Sequence, residues 1–494
     1  MSAYQALEKH YGRLGRLGAV RSIVDWDTAT TMPSGSSESR GEEMAALGLV
    51  VHEFATDPKL AALFADAERQ NLDEWRSANL REMKRDWLHA TAVPGDLVEA
   101  LSIASSRCEM AWRAARPAND FKGLLPLLEE VLTLTKQVAS AKAEAFGCDP
   151  YDALLDQYEP GGKAADIDRI FAEVTAVLPG LIQEALDHQA RRGAPLPLPG
   201  PFPIAAQEAL GRKLMSVIGF DFTRGRLDVS SHPFCGGTPD DIRLTTRYRE
   251  DDFRSAMMGV LHETGHALYE VGLPADWRYQ PVGYARGMSV HESQSLLMEM
   301  QACRSRAFAR FTAPLIREAF NGSGPAWEAE NLYRLGTQVT RGLIRVDADE
   351  VTYPAHVILR YRLERALVSG ALSLADLPGA WNDGMHELLG VRPPSDVDGC
   401  LQDIHWPSGA FGYFPTYTLG AMTAAQLYQA AGAAIPDLDA RLERGDFTAL
   451  LGWLRTHIHG RASYLPAPAL LTEATGRPLE SAPFLAHLRR RYLD

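Results

Sequence analysis

Helical periodicity, sustained from the start of the chain to about residue 190, constrains this sequence most. Ala, Leu, Glu and Arg dominate there, and apolar positions return at intervals of three and four, as at Leu124, Leu127, Leu128, Val131 and Leu132. Segments of this kind bury an apolar stripe helix against helix, which favours a mostly α architecture. No internal repeat of the 20–50-residue kind occurs, so a helical solenoid is not expected.

The periodicity stops at Arg191–Pro203, where every second residue from Pro195 to Pro203 is proline. Such a stretch is extended, and it reads as a linker or as a crossing between two lobes. The one β signal follows it. Arg226–Phe234 and Asp241–Tyr248 are rich in β-branched residues and flank a Cys-Gly-Gly-Thr-Pro turn, which predicts two strands. The second of these, Asp241–Tyr248, offers an edge that could pair with an extended peptide. Helices resume near Asp252 and continue to the end, with loops around Pro393–Gly399 and Pro407–Pro415.

The composition narrows the function. Hydrophobic residues make up 46% and charged residues 23%, which are ordinary globular proportions. A formal charge of −13 argues against a nucleic-acid binder, which needs a basic footprint. The five cysteines form no C-x-x-C pair, so neither a disulfide framework nor a thiolate metal site is expected. No apolar run approaches the roughly 20 residues of a membrane span, and the first residues do not read as a signal peptide. The chain is therefore expected to be cytoplasmic, with no nucleic-acid or membrane partner.

The chemistry concentrates at Leu261-His262-Glu263-Thr264-Gly265-His266. Asp251 or Asp252 can cap the start of this helix, and Gly272 with Pro274 marks its end. Two histidines four residues apart lie on one helical face, one turn apart, so both imidazoles can reach a single Zn²⁺. Glu263 is offset by roughly 100° and can hold a water beside the ion, as in the H-E-x-x-H pattern of zinc metallopeptidases. Gly265, an unfavourable helix-interior residue, suggests close approach of another backbone.

The third ligand is open at this point. An H-E-x-x-H-x-x-G-x-x-H site is excluded, because Tyr269 and Gly272 stand where Gly and His would be needed. Glu292, in His291-Glu292-Ser293-Gln294-Ser295, lies 26 residues beyond His266. Equally, Ser289-Val290-His291-Glu292 reads as a capping box with Glu292 merely closing a helix start. Glu270 and Glu299 are weaker rivals.

With these residues in view, the sequence resembles the carboxypeptidase Taq family of zinc metallocarboxypeptidases. Six motifs agree in order: His232-Pro233-Phe234; Asp241, Arg243 and Thr245; His262–His266; His291–Ser295; Ile344-Arg345 with Ala348-Asp349; and Gly399, Gln402, Asp403, His405 and Trp406. Trp26-Asp27 with Met32-Pro33, and Tyr151–Asp156, also look like family segments.

The resemblance implies a two-lobed helical fold with a deep cleft and a small sheet, similar to neurolysin and angiotensin-converting enzyme, spanning residues 1–494 as one domain with the crossing at 191–203. It implies a homodimer acting on peptides with a free C-terminal carboxylate. It also implies one zinc per subunit held by His262, His266 and Glu292, with Co²⁺ or Mn²⁺ as substitutes. Glu263 would be general base and acid. Tyr417, with Tyr413 close behind, would stabilise the oxyanion, and Arg345 would grip the carboxylate. Gln402 and His405 are the next candidates for orienting the carboxylate or the intermediate, and His232 and His291 for binding substrate or bracing the groups that do; His356 and His386 carry no assignment. An endo-acting oligopeptidase of similar fold and a catalytically silent zinc-containing binding protein are the alternatives.

Overall fold

The computed structural model describes all residues from Met1 to Asp494. The expected periodicity resolves into eight helices before the proline-rich segment: α1 (Ala3–Thr30), α2 (Ser37–Ala55), α3 (Lys59–Ala67), α4 (Glu74–Thr91), α5 (Gly95–Ala118), α6 (Phe121–Phe146), α7 (Pro150–Leu155) and α8 (Ala164–Arg192). After α9 (Ile204–Ile218) come three short strands, β1 (Gly225–Val229), β2 (Cys235–Thr238) and β3 (Asp241–Thr246). The helices α10 (Phe253–Gly272) and α11 (Gly287–Leu296) follow, and α11 runs on into a π-helical turn, Leu297–Cys303. The remainder is α12 (Arg306–Ala319), α13 (Ala329–Gly336), α14 (Tyr353–Ser369), α15 (Leu377–Leu389), α16 (Pro415–Ala434), α17 (Leu438–Leu442), α18 (Thr448–His457), α19 (Ala467–Thr475) and α20 (Ser481–Tyr492).

The apolar stripes collect into two large cores. One, of 46 buried residues, is built mainly from α5 to α8, α14, α15 and α20. The other, of 33, is built mainly from α9 to α12 and α17 to α19. The α16 helix serves both, giving Leu419, Met422 and Ala425 to the first and Ala424, Leu427 and Ala431 to the second. The proline-rich segment is a crossing between them. It leaves α8 in the first core and delivers Phe202 to the second. On the way Asn331 pins it, accepting from the Leu196 amide and donating to the Leu196 carbonyl. A small third core joins α1, α3 and α4 through Tyr4, Leu7, Phe64 and Met83, whereas α2 buries no residue.

The sheet departs from the expected pair of strands. Cys235–Thr238, read above as a turn, is itself a strand, and the order is β1-β3-β2. β1 lies parallel to β3 and β2 antiparallel to it. Asp241–Thr246 is therefore the central strand, paired on both sides, and cannot offer the free edge expected of it. Cys-Gly-Gly-Thr has turn composition, and Gly237 does adopt a positive φ of +88°, yet all four residues from Cys235 to Thr238 pair with β3. One face of the sheet, with Leu227, Ile242 and Leu244, packs on Met215 of α9 and on Val260 and Ala267 of α10. On the other face Trp26 of α1 is buried between the guanidinium groups of Arg226 and Arg243, 4.8 and 4.5 Å from its ring.

Candidate metal centre

The α10 helix begins where its cap was expected. The Asp252 carboxylate accepts the amides of Arg254 and Ser255. Gly265 is the residue that brings in a partner helix: a Cβ there would lie 2.5 Å from the Gln294 carbonyl oxygen and 2.6 Å from Ser295 Cα. The α11 backbone thus rests directly on α10. On its other side α11 meets Gly420 of α16, where a Cβ would stand 2.9 Å from both Cβ and Cγ of Glu292. Two glycines from distant parts of the chain hold α11 like the jaws of a clamp.

That clamp aims Glu292 at the histidine pair. Its Oε2 stands 3.4 Å from His266 Nε2 and 3.8 Å from His262 Nε2, and the three candidate donor atoms lie within 4.8 Å of one another. Ligands bound at 2.0–2.2 Å in a tetrahedron are about 3.4 Å apart, so this donor set fits a zinc-sized ion. The capping-box alternative fails. The helix starts at Gly287, and its first amides are satisfied elsewhere: Ser289 N–H donates to Glu159 Oε2 (3.1 Å) and Met288 N–H to the Tyr158 carbonyl (2.7 Å).

The two rival carboxylates hold histidines in place. Glu299, carried on the π-helical turn, accepts from His262 Nδ1–H (2.9 Å) and from Arg304 Nη2 (2.7 Å), which leaves Nε2 of His262 free for the metal. Glu270 pairs with His291 Nε2 (2.9 Å), whose ring lies against His266 with centroids 4.5 Å apart. Glu263 is 7% exposed, and burial pushes its carboxyl up to about 7, against the opposing pull of His262 and with Glu292 repelling further.

Across the site lies a second charged cluster. Arg345 donates from Nε and Nη2 to Asp403 Oδ1 (3.0 and 2.8 Å) and from Nη1 to the Tyr353 hydroxyl (2.8 Å). Arg360, fully buried, donates to the other carboxylate oxygen (2.6 Å). Asp347 and Asp349, the acids flanking Arg345 in sequence, are not its partners; Asp349 instead accepts the amides of Val351 and Thr352. Despite burial, the two guanidinium groups hold the Asp403 carboxyl far below the usual carboxylate range. Two guanidinium groups against one carboxylate leave this buried cluster with a charge of +1. Arg345, Tyr353 and Tyr417 line the same cavity as His262 and Glu292, of about 330 Å³.

The remaining candidates divide. Tyr417 faces the cavity, and its hydroxyl is 3.4 Å from His405 Nε2, an imidazole that burial keeps neutral by lowering its pKa to about 4. Tyr413 packs edge-on against Tyr417 at 5.2 Å and does not line the cavity. Gln402 commits its amide to the protein, accepting from Arg345 N–H (2.8 Å) and donating to the carbonyls of Leu343, Asp398 and Gly399. It braces the Arg345 loop and leaves no free donor for a substrate. His232 has an exposed ring and is tied down by its carbonyl, which accepts from the Ser230 hydroxyl. His356 is fully buried beside Arg360, its ring nitrogens unpaired. Sequence reasoning missed Tyr353, Arg360 and the orienting role of Glu299. Asp403 stood inside a quoted motif without a role.

The sequence matches the carboxypeptidase Taq (M32) metallopeptidase family over residues 6–492. The chain belongs to that family. It is 40% identical over 503 residues to thermostable carboxypeptidase 1 of Thermus thermophilus, covering 99% of this chain and 98% of the relative. Its fold superposes on Trypanosoma cruzi metallocarboxypeptidase 1 with a TM-score of 0.98 at 42% identity, covering 100% and 99% of the two chains. For the M32 carboxypeptidase of Deinococcus radiodurans R1 the values are 0.94 and 38%, with coverage of 99% and 98%. This M32 carboxypeptidase is thus a peptide hydrolase whose family implies a divalent metal, and His262, His266 and Glu292 are the cluster suited to hold one.

Proposed function

We propose that the protein is a zinc-dependent carboxypeptidase that removes residues singly from the C-terminus of peptides of varied sequence. The observation that carries this reading is the buried +1 cluster opening on the same cavity as the His262–His266–Glu292 set. An isolated buried charge is costly, and a substrate carboxylate is the anion that would complete it. Arg345 has five N–H groups and three are taken, so two remain for that carboxylate. An endopeptidase would have no use for a fixed positive site here.

Zinc bound by His262, His266 and Glu292 would supply Lewis acidity, making water a nucleophile near neutral pH and polarising the scissile carbonyl. The chain's own residues do the rest. Glu263 accepts the proton of the attacking water and passes it to the leaving amine. The Tyr417 hydroxyl donates to the oxygen on which negative charge develops, with His405 beside it to fix its direction. Glu299 keeps His262 in the tautomer that presents Nε2. The family resemblance further supports a cytoplasmic homodimer, the 494 residues forming one catalytic body, and Co²⁺ or Mn²⁺ as functional substitutes for zinc. The test is mass spectrometry of a mixed peptide pool incubated with and without chelator. Ladders shortened from the C-terminus, abolished by the chelator, support the reading; internal cleavage or no cleavage refutes it.

A further inference from the structure

The Tyr151–Asp156 segment contributes no side chain to the metal centre, yet it reaches the opposite side of the site. Tyr151, on α7, donates its hydroxyl to Glu364 Oε1 (2.7 Å). Glu364, on α14, is fully buried and takes two further donors, both from the loop that leads to Tyr417. Gly412 N–H donates to the same oxygen (2.6 Å), and Trp406 Nε1–H donates to Oε2 (2.8 Å). One carboxylate therefore ties both ends of the 406–412 loop together and fastens them to α7. An ionised carboxylate accepts and does not donate, which suits a place where three donors converge; a carboxamide would turn an N–H toward one of them.

His405 and Tyr417 flank this loop. His405 immediately precedes Trp406, Tyr417 lies in the first turn of α16, and the His405 Nε2 atom is 3.4 Å from the Tyr417 hydroxyl. The α14 helix grips the stretch at two points one turn apart: Arg360 holds Asp403, and Glu364 holds Trp406. The far end is closed by the α7 backbone, since a Cβ on Gly412 (φ +91°) would stand 2.9 Å from Leu154 C and from Leu155 N. Just beyond α7, Tyr158 packs edge-on against Tyr413 with centroids 5.0 Å apart. Glu364 is hydrogen-bonded neither to the three candidate metal ligands nor to Arg345.

We propose that Glu364 is a positioning residue for the oxyanion donor: by tying Trp406 and Gly412 to Tyr151, it fixes where the His405–Tyr417 pair points. Its effect is confined to the transition state, because the metal ligands and Arg345 are held by other groups. A hydroxyl displaced by a fraction of an ångström still lets the substrate bind, but it no longer meets the oxygen on which charge develops. The inference rests on the carboxypeptidase reading above and on the role given there to Tyr417.

The test compares Glu364→Gln, Tyr417→Phe and the double variant, all metal-loaded, on one peptide as free acid and as C-terminal amide, with KM and kcat measured separately. Removing an oxyanion donor costs about 10²–10³ in kcat, so Tyr417→Phe sets the full loss; a donor held off line forfeits part of it, about tenfold in Glu364→Gln. KM, the preference for acid over amide and the metal content by elemental analysis stay as in the unaltered enzyme. In the double variant there is no hydroxyl left to aim, so Glu364→Gln deepens the Tyr417→Phe loss by less than about twofold. Tyr151→Phe removes one donor and leaves the carboxylate its two loop contacts; it gives about a threefold loss of kcat that vanishes in the same way, and it replaces Glu364→Gln in the cycle if that variant does not fold. Losses that multiply in the double variant, or that fall on KM or metal content, overturn the positioning role and leave C-terminal trimming intact. If the unaltered chain releases no C-terminal residue, or if Tyr417→Phe leaves kcat unchanged, the reading beneath the inference fails and the inference falls with it.

Discussion

Replacing Arg345 by alanine removes a charge without orphaning another. Arg345 shares Asp403 with Arg360, so Arg345→Ala leaves the carboxylate paired and turns the +1 cluster neutral. The fold therefore tolerates the change, unlike the loss of one partner from an isolated buried pair. The substrate does not. Hydrogen bonds to charged groups contribute about 1.5–3 kcal/mol each, and Arg345 has two N–H groups to offer in a site only 6% exposed. A net loss of about 3 kcal/mol corresponds to roughly a 150-fold drop in kcat/KM. The assay compares one peptide as free acid and as C-terminal amide in both enzymes. The unaltered enzyme prefers the acid by about that factor, and Arg345→Ala prefers it by less than about tenfold, with metal content unchanged. A variant that keeps the full preference for acid over amide refutes the carboxylate assignment.

Glu263→Gln should lower kcat by about 10²–10⁴ while the protein keeps its metal by elemental analysis. Because Glu263 works as a base and burial raises its carboxyl to about 7, kcat/KM falls as pH drops through that region, with a bound dication drawing the limb to lower pH. A flat acidic limb in the unaltered enzyme would remove Glu263 from the base role. Glu299→Gln weakens the hold on His262 and should raise the metal dissociation constant about 10–100-fold, read by competition with a chelator. Gly265→Ala gains about 1 kcal/mol of helix propensity yet should lower both Tm and metal affinity, because the new Cβ meets the α11 backbone at 2.5 Å.

Features fixed by local chemistry were legible in the sequence. The cap at Asp252, the end at Gly272 and the shared face of His262 and His266 all follow from spacing within one helix. Gly265 also announced a neighbour, though not which one. Glu292 was ambiguous because a capping box and a ligand use the same residue type. The choice depended on Glu159, over 100 residues upstream, taking the amide that Glu292 would otherwise have helped satisfy. The partner of Arg345 was illegible for the same reason: two acids stand beside it in sequence, and the fold supplies a third from residue 403. The sheet was misread where composition and context disagreed, since two glycines in four residues say turn until β3 is there to pair with them.

The sharing of α16 between the two cores bears on how the protein is made. During synthesis the helix carrying His262 and His266 emerges roughly 150 residues before α16, whose Gly420 closes the clamp around Glu292. Neither large core is complete until that helix arrives, and the first also awaits α20 at the very end of the chain. The ligand set can therefore come together only once the chain through α16 has left the ribosome. A peptidase assembled in this order is inert as a nascent chain.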